Sequence, residues 1–496
     1  MKGESSKDTR QQDDGVIPIF TNGTAFGENA TYYTAPLKTI YQDSTDRGLD
    51  YGRALAAFFQ TRLGAWTLHI QSRSVWHVDQ VREWSVNNAN VFNPKATFAT
   101  PTTTLRRQYN NVRNGHRYNY ADANAFRRFG PEKFRNTVLL GVGGGGEAFL
   151  NQRIAFGPNA PASQAITLIH PTLNLASAYP ADGTGATDVR TYWTSVGEYV
   201  SDQIKIGDRA HLSFGVRHDG IKIHGGNQRS LAKTAFDNTY STFTKQAGLV
   251  YHLDSRYSVY GSWSQSLKPG ANLAFDASGN SSFPPESGEQ YETGLKFESP
   301  DKNLNVTLGI YQISRQNVLV ATGTNFTVPT GNAQAGQAIS RLDGEQQSRG
   351  VELEVQWQPQ PNWQFQTGAA YSKASITQSD KNPATVGKDL ANAPRLTGNL
   401  WTRYNVPSGW FKGLGFGGGL IYVGKAWAGD PTTSLYYRLK AWERVDGSIY
   451  YKWKRYDFAL NIQNLLDKRY ISSAQSALTL NVGEQSRVTL SVGRRF

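Results

Sequence analysis

Residues 487–496, at the end of the chain, read RVTLSVGRRF. Apolar and polar residues alternate along them: Val488, Leu490, Val492 and Phe496 against Thr489, Ser491, Gly493 and Arg495. Because successive side chains of a strand point to opposite faces, the alternation predicts a strand with one apolar and one polar face. A tilted strand of about 9 to 11 residues crosses the hydrocarbon layer, and aromatic residues favour its interfaces. The stretch predicts the closing strand of a transmembrane β-barrel, or else the edge of a soluble sandwich.

The composition favours strands over helices as membrane-spanning elements. Only 38% of the 496 residues are hydrophobic, the mean hydropathy is -0.52, and no run approaches the about 18 apolar residues of a membrane helix. A barrel wall is apolar on its lipid face alone, which agrees with a polar average. The 25 tyrosines and 12 tryptophans suit membrane interfaces.

Charge and cysteine usage exclude several classes of protein. The chain has no cysteine, so disulfides and thiolate metal sites are excluded. The net charge of +13 is spread over loops rather than over one basic stripe, so no nucleic-acid partner is expected, and anionic lipids or ligands account for the charge. Residues 1–20, MKGESSKDTRQQDDGVIPIF, lack the apolar core of a secretory signal peptide, which predicts a signal already removed or a shortened chain.

The pattern along the chain predicts an irregular segment at 1–50 and a barrel at 51–496. A hairpin is expected around Gly64, and three further strands near 103–109, 117–123 and 136–142. Thirteen alternating strands follow: 193–206, 211–223, 242–251, 257–266, 289–297, 304–320, 350–357, 363–372, 395–405, 414–423, 445–453, 456–464 and 487–496. The total is about 18. In the clearest case, 351–357, the odd residues are expected to face lipid and the even residues the lumen.

The connections between the thirteen strands alternate in length. Short connections at 207–210, 252–256, 298–303, 358–362, 406–413 and 454–455 alternate with long ones at 224–241, 267–288, 321–349, 373–394, 424–444 and 465–486. Outer-membrane barrels have short periplasmic turns and long extracellular loops. The alternation therefore predicts an antiparallel transmembrane barrel whose C-terminus lies on the periplasmic side.

Five segments in sequence order resemble TonB-dependent siderophore receptors: YWTSVGEYVSDQIKIGDRAHLSFGVRHD at 192–219, YSVYGSWSQSLKP at 257–269, PESGEQYETGLKF at 285–297, RGVELEV at 349–355 and NIQNLLDKRY at 461–470. The resemblance covers about the last 300 residues. It implies a 22-stranded outer-membrane barrel around an N-terminal plug, and the import of ferric siderophores with energy from the TonB complex. The last strand, through Val492 and Phe496, resembles the signal read by the outer-membrane assembly machinery.

The resemblance also implies barrel strands, a plug and a TonB-contacting segment that are not found in the sequence. Residues 1–190 would have to supply nine strands, whereas about five are found, and no plug or TonB-contacting segment precedes them. The expected form is a barrel without its plug and its first few strands, so a TonB partner is expected only if a plug is present. Outer-membrane lipids remain expected partners.

The loops and a few short motifs contain the candidate site residues. The loops carry aromatic and basic residues suited to an anionic iron chelate, with the outer aromatic girdle as the alternative interpretation: Phe283, Arg341, Trp427, Tyr436, Tyr437 and Arg438. A weaker metal-binding hypothesis concerns His218, Asp219 and His224. The glycines at 141, 143 and 146 match a nucleotide motif, but neither the following helix nor the acidic residue is found, which favours a strand that enters a glycine-rich loop. No hydrolase motif occurs, so neither enzymatic activity nor a cofactor is expected.

Three functions remain open at this stage. The first is an outer-membrane receptor barrel for ferric siderophore uptake, in a plugless or truncated form. The second is a passive, porin-like channel made by the same barrel. The third, from another class, is a secreted β-rich carbohydrate-binding protein, which requires the apolar faces of its strands to meet in a dry core.

Overall fold

The protein is an all-β structure, seen in a computed structural model that describes residues 2–10, 18–20, 26–27, 32–34, 37, 46–86, 104–155, 165–167, 186–230, 234–270, 274–325, 338–380, 382–431, 435–477 and 479–494. Eighteen strands form one continuous antiparallel sheet, in which each strand pairs with the next along the chain. The fold class and the strand number predicted from the sequence are confirmed.

The strands of the main sheet, in chain order, are β1 Lys2–Arg10, β2 Arg47–Leu63, β3 Trp66–Val86, β4 Thr104–Phe129, β5 Phe134–Ala155, β6 Thr187–Ile206, β7 Ala210–Asn227, β8 Phe236–His252, β9 Tyr257–Lys268, β10 Glu286–Glu298, β11 Leu304–Gln316, β12 Glu345–Gln360, β13 Trp363–Gln378, β14 Leu396–Asn405, β15 Leu414–Val423, β16 Trp442–Trp453, β17 Tyr456–Gln463 and β18 Arg487–Arg494. Short strands outside it are Pro18–Phe20, Phe26–Gly27, Tyr32–Thr34, Ala165–Thr167, Leu319–Asn325, Ala338–Leu342, Ala426–Gly429, Tyr436–Leu439, Ile471–Ser476 and Thr479–Val482. Two short 3-10 helices are Gln228–Ser230 and Pro383–Thr385.

The thirteen strands predicted after residue 191 correspond to β6 to β18. The first five differ from the prediction although their number agrees. The candidates 103–109 and 117–123 are parts of the single strand β4, because the polar residues between them continue the ladder with β3. The description of 1–50 as irregular is wrong at Lys2–Arg10, which forms β1. That strand has no apolar residue, and its pairing with β2 cannot be read from a periodic pattern.

The segregation of loop lengths is confirmed. The connections at 64–65, 130–133, 207–209, 253–256, 299–303, 361–362, 406–413 and 454–455 are short and lie at one end of the sheet, opposite the long ones. Gly64 and Gly207 adopt positive φ angles of 61° and 60° in such turns, a conformation that suits glycine. This arrangement agrees with short periplasmic turns and long extracellular loops.

The outer face of the sheet carries exposed apolar side chains in rows. Leu295, Leu308 and Leu353 are direct cross-strand neighbours and are 37%, 39% and 38% exposed. Aromatic pairs lie beside the short turns, with Trp357 stacked 5.3 Å from Phe365 and Trp453 stacked 6.3 Å from Tyr456. An apolar band bordered by an aromatic girdle is the outer surface of a transmembrane barrel. The apolar rows lie on the outside of one sheet, so they do not form the dry core required by a soluble sandwich.

The sheet curves, but its two edges stay open. No ladder joins β1 to β18 between residues 2–10 and 487–494. The short strand Phe26–Gly27, which lies between β1 and β2, pairs in parallel with Tyr436–Tyr437 in the loop after β15, so the extracellular loops near the two edges come into contact. In the part of the chain that the structure describes, no helix has the length and apolar character of a membrane span.

Candidate functional site: the inner wall and the extracellular loop cap

The inner wall of β9 to β12 contains an acidic cavity of about 440 Å³. Tyr260 donates its hydroxyl hydrogen to Glu292 Oε1 at 2.6 Å, and Gln290 Nε2 donates to Glu292 Oε2 at 3.1 Å. Glu352 and Glu354 line the same cavity, which confirms that the even residues of β12 face the lumen. Carboxylates held on a concave wall attract cationic groups; the protein's own Lys296 also lines the cavity, and with three glutamates against this one lysine the cavity could still accept an ammonium or guanidinium group.

A second polar network lies on the inner wall of β4, β6 and β7. Asp122 is 6% exposed and accepts hydrogen bonds from the Tyr199 hydroxyl and from Asn124 Nδ2, each at 2.9 Å. The Arg217 guanidinium lies 5.4 Å from the Tyr199 ring centre and binds the Asp219 carboxylate through two nitrogens. Because the buried carboxylate Asp122 has its donors in place, the network fixes the orientation of Tyr199.

The glycine run of β5 makes room for this network. A Cβ atom at Gly141 would lie 2.1 Å from Cζ of Tyr199, and one at Gly143 would lie 2.5 Å from the Tyr120 hydroxyl. Both glycines are inside a regular strand, which agrees with a strand rather than a nucleotide site. The predicted glycine-rich loop is wrong, because the pairing with both neighbouring strands continues through the glycine run. The absence of side chains allows the tyrosines to lie flat against the wall.

We expect Gly141→Ala to lower the free energy of unfolding by about 1 to 3 kcal/mol, because displacing Tyr199 leaves the buried carboxylate of Asp122 without one of its donors. Urea unfolding followed by tryptophan fluorescence measures this loss. Gly418→Ala in β15 is the matched control, since no atom lies within 4 Å of its added Cβ. Equal stability of the two variants would contradict the proposed packing role.

Two histidines lie side by side further towards the loops. His77 and His116 are cross-strand partners whose ring centres are 6.1 Å apart. His77 Nε2 lies 3.0 Å from Asp50 Oδ1, and His116 Nδ1 lies 2.8 Å from Glu147 Oε1. Each imidazole is therefore held by its own carboxylate, and the pair forms a polar, partly exposed rim on the inner wall.

The predicted metal candidates do not converge on one point. Asp219 faces the lumen and binds Arg217. His218 faces outward, with Nδ1 at 3.0 Å from Glu198 Oε2 and Nε2 at 2.9 Å from Ser241 Oγ. His224, also on the outer face, stacks on Tyr192 at 5.2 Å. Within the described ranges no group of three or more metal-ligating side chains is found, so His218, Asp219 and His224 stay a prediction without geometric support.

The loop cap consists of the hairpin Ala426–Gly429 with Tyr436–Leu439, the hairpin Ile471–Ser476 with Thr479–Val482, and residues 389–395. Four predicted ligand residues come together in its first hairpin. Trp427 and Tyr436 stack at 4.1 Å with nearly parallel rings, and Arg438 lies 4.5 Å from the Trp427 ring centre. Tyr437 is wholly buried in a cluster with Ala428, Leu439, Ala474 and Leu480. The aromatic rings form the core of the cap rather than an open binding surface.

Asp389 links the first hairpin to Arg395, the residue before β14, and no local pattern in the sequence predicts this role. Its carboxylate accepts hydrogen bonds from Arg395 Nε and from Trp427 Nε1, at 3.0 and 3.2 Å. The Tyr436 hydroxyl donates to the Asp389 carbonyl oxygen at 2.7 Å, and burial raises the pKa of Tyr436. Because Asp389 is only 5% exposed, these donors replace the water that the carboxylate has lost.

Asn392 joins the two hairpins of the loop cap. Its Nδ2 donates to the Ala474 carbonyl oxygen at 2.8 Å, and the Ala474 N–H donates to Asn392 Oδ1 at 2.9 Å. Asn392 has a φ of 54°, a left-handed conformation that asparagine tolerates better than most residues. The asparagine in the sequence is compatible with this left-handed turn, but no local pattern predicts its contact with a residue 82 positions away.

The remaining predicted loop residues, Phe283 and Arg341, lie outside the cap. Their two loops contact each other where the Ser340 N–H donates to the Phe275 carbonyl oxygen at 2.7 Å. Phe283 is half-buried. Arg341 forms an ion pair with Asp343 at 3.6 Å, while its Nε and one terminal nitrogen have no hydrogen-bond partner among the described residues. Both of these nitrogens are buried, but the side chain as a whole is 42% exposed, so its exposed part can face an anionic ligand.

Val492, predicted to belong to an assembly signal, lies at the other end of the sheet. Val492 is 58% exposed on the outer face of β18, in the register predicted from the alternation. Phe496 lies outside the described residues. The fold and its two faces define a class of protein: a transmembrane β-barrel with a polar inner wall, short turns at one end and a cap of long loops at the other.

The chain belongs to the family of TonB dependent receptor-like beta-barrels, whose family model matches residues 3–465. Members of this family are outer-membrane receptors rather than enzymes. The metal-pseudopaline receptor CntO of Pseudomonas aeruginosa is 29% identical over 301 residues, which cover 59% of this chain and 40% of that receptor. The ferrioxamine B receptor of Salmonella typhimurium is 28% identical over 305 residues, which cover 60% of this chain and 40% of that receptor. The matched region is thus about two fifths of each relative's length.

Solved structures show the same fold. The siderophore receptor PiuA from Acinetobacter baumannii matches 99% of this chain and 70% of its own, with a TM-score of 0.81 and 18% identity. The ferric-catecholate import receptor Fiu of Escherichia coli, in its closed form, matches 100% of this chain and 71% of its own, with a TM-score of 0.78 and 18% identity. The family resemblance seen in five short segments is confirmed, and so is the barrel architecture.

Proposed function

We propose that the chain is the barrel of an outer-membrane receptor for the uptake of ferric siderophores or similar metal chelates. The observation that carries the proposal is the family match over residues 3–465 together with relatives that are receptors for metal-pseudopaline and ferrioxamine B. A polar inner wall below a cap of long loops supports a path for a hydrophilic chelate through the membrane.

In this proposal the loop residues have two different roles. Arg341, whose side chain is partly exposed, and Phe283, half-buried in the neighbouring loop, would contact an anionic chelate directly. Trp427, Tyr436 and Tyr437 would hold the cap in shape, and Arg438 would present its guanidinium on the Trp427 face. No cofactor is needed, since the metal chelate is the cargo.

The proposal is tested by quenching of tryptophan fluorescence in detergent-solubilised protein titrated with ferrioxamine B and with a ferric catecholate. We expect saturable quenching by one iron-loaded chelate. The same chelate without iron should bind at least about tenfold more weakly, a difference of about 1.4 kcal/mol in binding free energy. Arg341→Gln should weaken binding, whereas Arg256→Gln, in a short turn on the opposite side, should not. Identical affinities for iron-loaded and iron-free chelates would contradict the proposal.

The remaining partners follow from the same assignment. The outer membrane is the proposed location, its lipids contact the apolar band, and the assembly machinery is proposed to read Val492 and Phe496. Coupling to the TonB complex requires a plug, and the plugless or truncated form stays a prediction. The proposed barrel unit is 51–496, joined at its first edge by β1 from segment 1–50.

A passive, porin-like channel is the second candidate, and the polar inner wall favours it. Ser258, Ser262 and Ser266 alternate along the inner face of β9, a wetted surface typical of a channel. Single-channel recording in planar bilayers separates the candidates. Steady current that no chelate blocks supports the porin, whereas current blocked by an iron-loaded chelate supports the receptor.

A further inference from the structure

Three nitrogen-bearing side chains stand next to one another on the inner wall, near the short turns. Arg135 on β5 is the cross-strand partner of Lys205 on β6, and Lys205 is the partner of His211 on β7. Directly opposed like charges destabilise a sheet. The row therefore carries an unfavourable interaction that a bound anion would remove.

The row opens into a cavity of about 380 Å³. Lys296 lies between this cavity and the acidic cavity described above and lines both, with its Nζ 5.0 Å from the Tyr260 ring centre; its charge is therefore shared with the glutamates, and Arg135 and Lys205 are the cations that belong to this cavity alone. Ser213 and Ser262 add hydroxyl groups to the lining, which contains no carboxylate among the described residues. A concave site with several cations, hydroxyl donors and no acid is complementary to an anion.

The one acidic neighbour with a described contact is Asp208, in the turn after β6. Its Oδ1 lies 3.3 Å from Lys205 Nζ, but its side chain is 79% exposed. Such an exposed ion pair contributes little, because water and salt screen it. Arg135 has no described carboxylate partner, so the row retains uncompensated positive charge.

We propose that this cavity, formed by Arg135, Lys205, His211 and Lys296, binds a small oxyanion such as inorganic phosphate on the inner wall of the barrel. The guanidinium of Arg135 offers paired N–H donors that match two oxygens of an oxyanion, and Lys205 supplies a point charge beside it. The site lies on the lumen face, so its ligand comes from the aqueous lumen rather than from the lipid. It is independent of the siderophore assignment.

The test is isothermal titration calorimetry of the detergent-solubilised chain with inorganic phosphate, with chloride held constant. Saturable binding is expected for the unaltered protein. The double variant R135Q/K205Q should bind about tenfold more weakly or not at all, since it loses two charge-assisted contacts. Lys245→Gln is the matched control, because Lys245 pairs with Val216 on the outer face of the sheet; its affinity should be unchanged.

A variant that binds phosphate more tightly tests the proposal without the risk that a folding defect explains the result. Asp208→Asn removes the competing carboxylate and should tighten phosphate binding by about two- to threefold, a change that misfolding cannot produce. Sulfate should compete with phosphate. Absence of saturable binding to the unaltered protein would overturn the proposal, as would a double variant that binds normally or an Asp208→Asn variant that binds more weakly.

Discussion

Leu308→Arg is expected to lower the free energy of unfolding in lipid bilayers by about 2 to 4 kcal/mol. Leu308 lies in an outer apolar row between Leu295 and Leu353 and is 39% exposed. An arginine placed there must either enter the hydrocarbon or distort the surrounding lipid. The measurement is urea unfolding of protein refolded into phosphatidylcholine vesicles, followed by the loss of heat-modifiable migration in gels.

The adjacent residue supplies the control for this prediction. Thr307 lies between its cross-strand partners Lys296 and Glu354 and lines the acidic cavity with them, so Thr307→Arg places the same charge on the lumen side, between one cation and one carboxylate. Its effect on stability should stay below about 1 kcal/mol, the usual scale of an exposed ion pair. If both variants lost the same stability, the alternation of lipid and lumen faces along β11 would be wrong. A water-soluble protein that folds equally well without detergent would refute the membrane assignment itself.

Local alternation was enough to predict the faces of the C-terminal strands. In β12 and β17 the predicted lipid-facing residues are the outer ones, because a period of two is fixed once one face is apolar. The register between strands was not accessible in the same way. His77 and His116 are cross-strand partners although they lie 39 positions apart in the sequence. No local pattern around either histidine predicts this pairing.

The N-terminal strand shows a different limit. Residues 3–9 in β1 are polar and exposed, so no amphipathic pattern marks them as part of a sheet. The strand forms through backbone pairing with residues 48–56 of β2, and backbone hydrogen bonds are available to any residue except proline. Hydrophobic periodicity depends on side chains, so it does not detect a strand that forms through backbone pairing alone.

The loop aromatics have a structural role that composition does not reveal. Trp427, Tyr436 and Tyr437 were selected because aromatic rings suit a chelate, yet they are buried against one another and against the polypeptide. Large rings bury more apolar area than any other side chain, so a long loop that folds on itself uses them as its core. Exposure distinguishes the two roles, and it depends on partners such as Asp389 that lie far away in the sequence.

Asp389→Ala is expected to open the loop cap while leaving the barrel folded. The substitution removes the acceptor of Arg395 and Trp427, and hydrogen bonds to a charged group contribute about 1.5 to 3 kcal/mol. The cap has a small apolar cluster of its own, so a loss of this size is a large share of its local stability. Hydrogen exchange measured by mass spectrometry should show faster exchange in residues 424–441, with the strands β6 to β13 unchanged.

Two further variants separate the charge of Asp389 from its geometry. Asp389→Asn keeps an oxygen that can accept from Trp427 but loses the paired interaction with Arg395, so its exchange should be intermediate. Asp276→Ala removes an exposed loop carboxylate that bonds only within its own turn, and exchange in the cap should match that of the unaltered protein. If Asp389→Ala also left exchange in the cap unchanged, the stacked pair of Trp427 and Tyr436 would not depend on the Asp389 carboxylate, and the proposed role of that carboxylate would be wrong. If Asp389→Ala unfolded the whole barrel, the cap and the sheet would form one cooperative unit. A loop that opens independently of the sheet does not change the free energy of unfolding of the sheet.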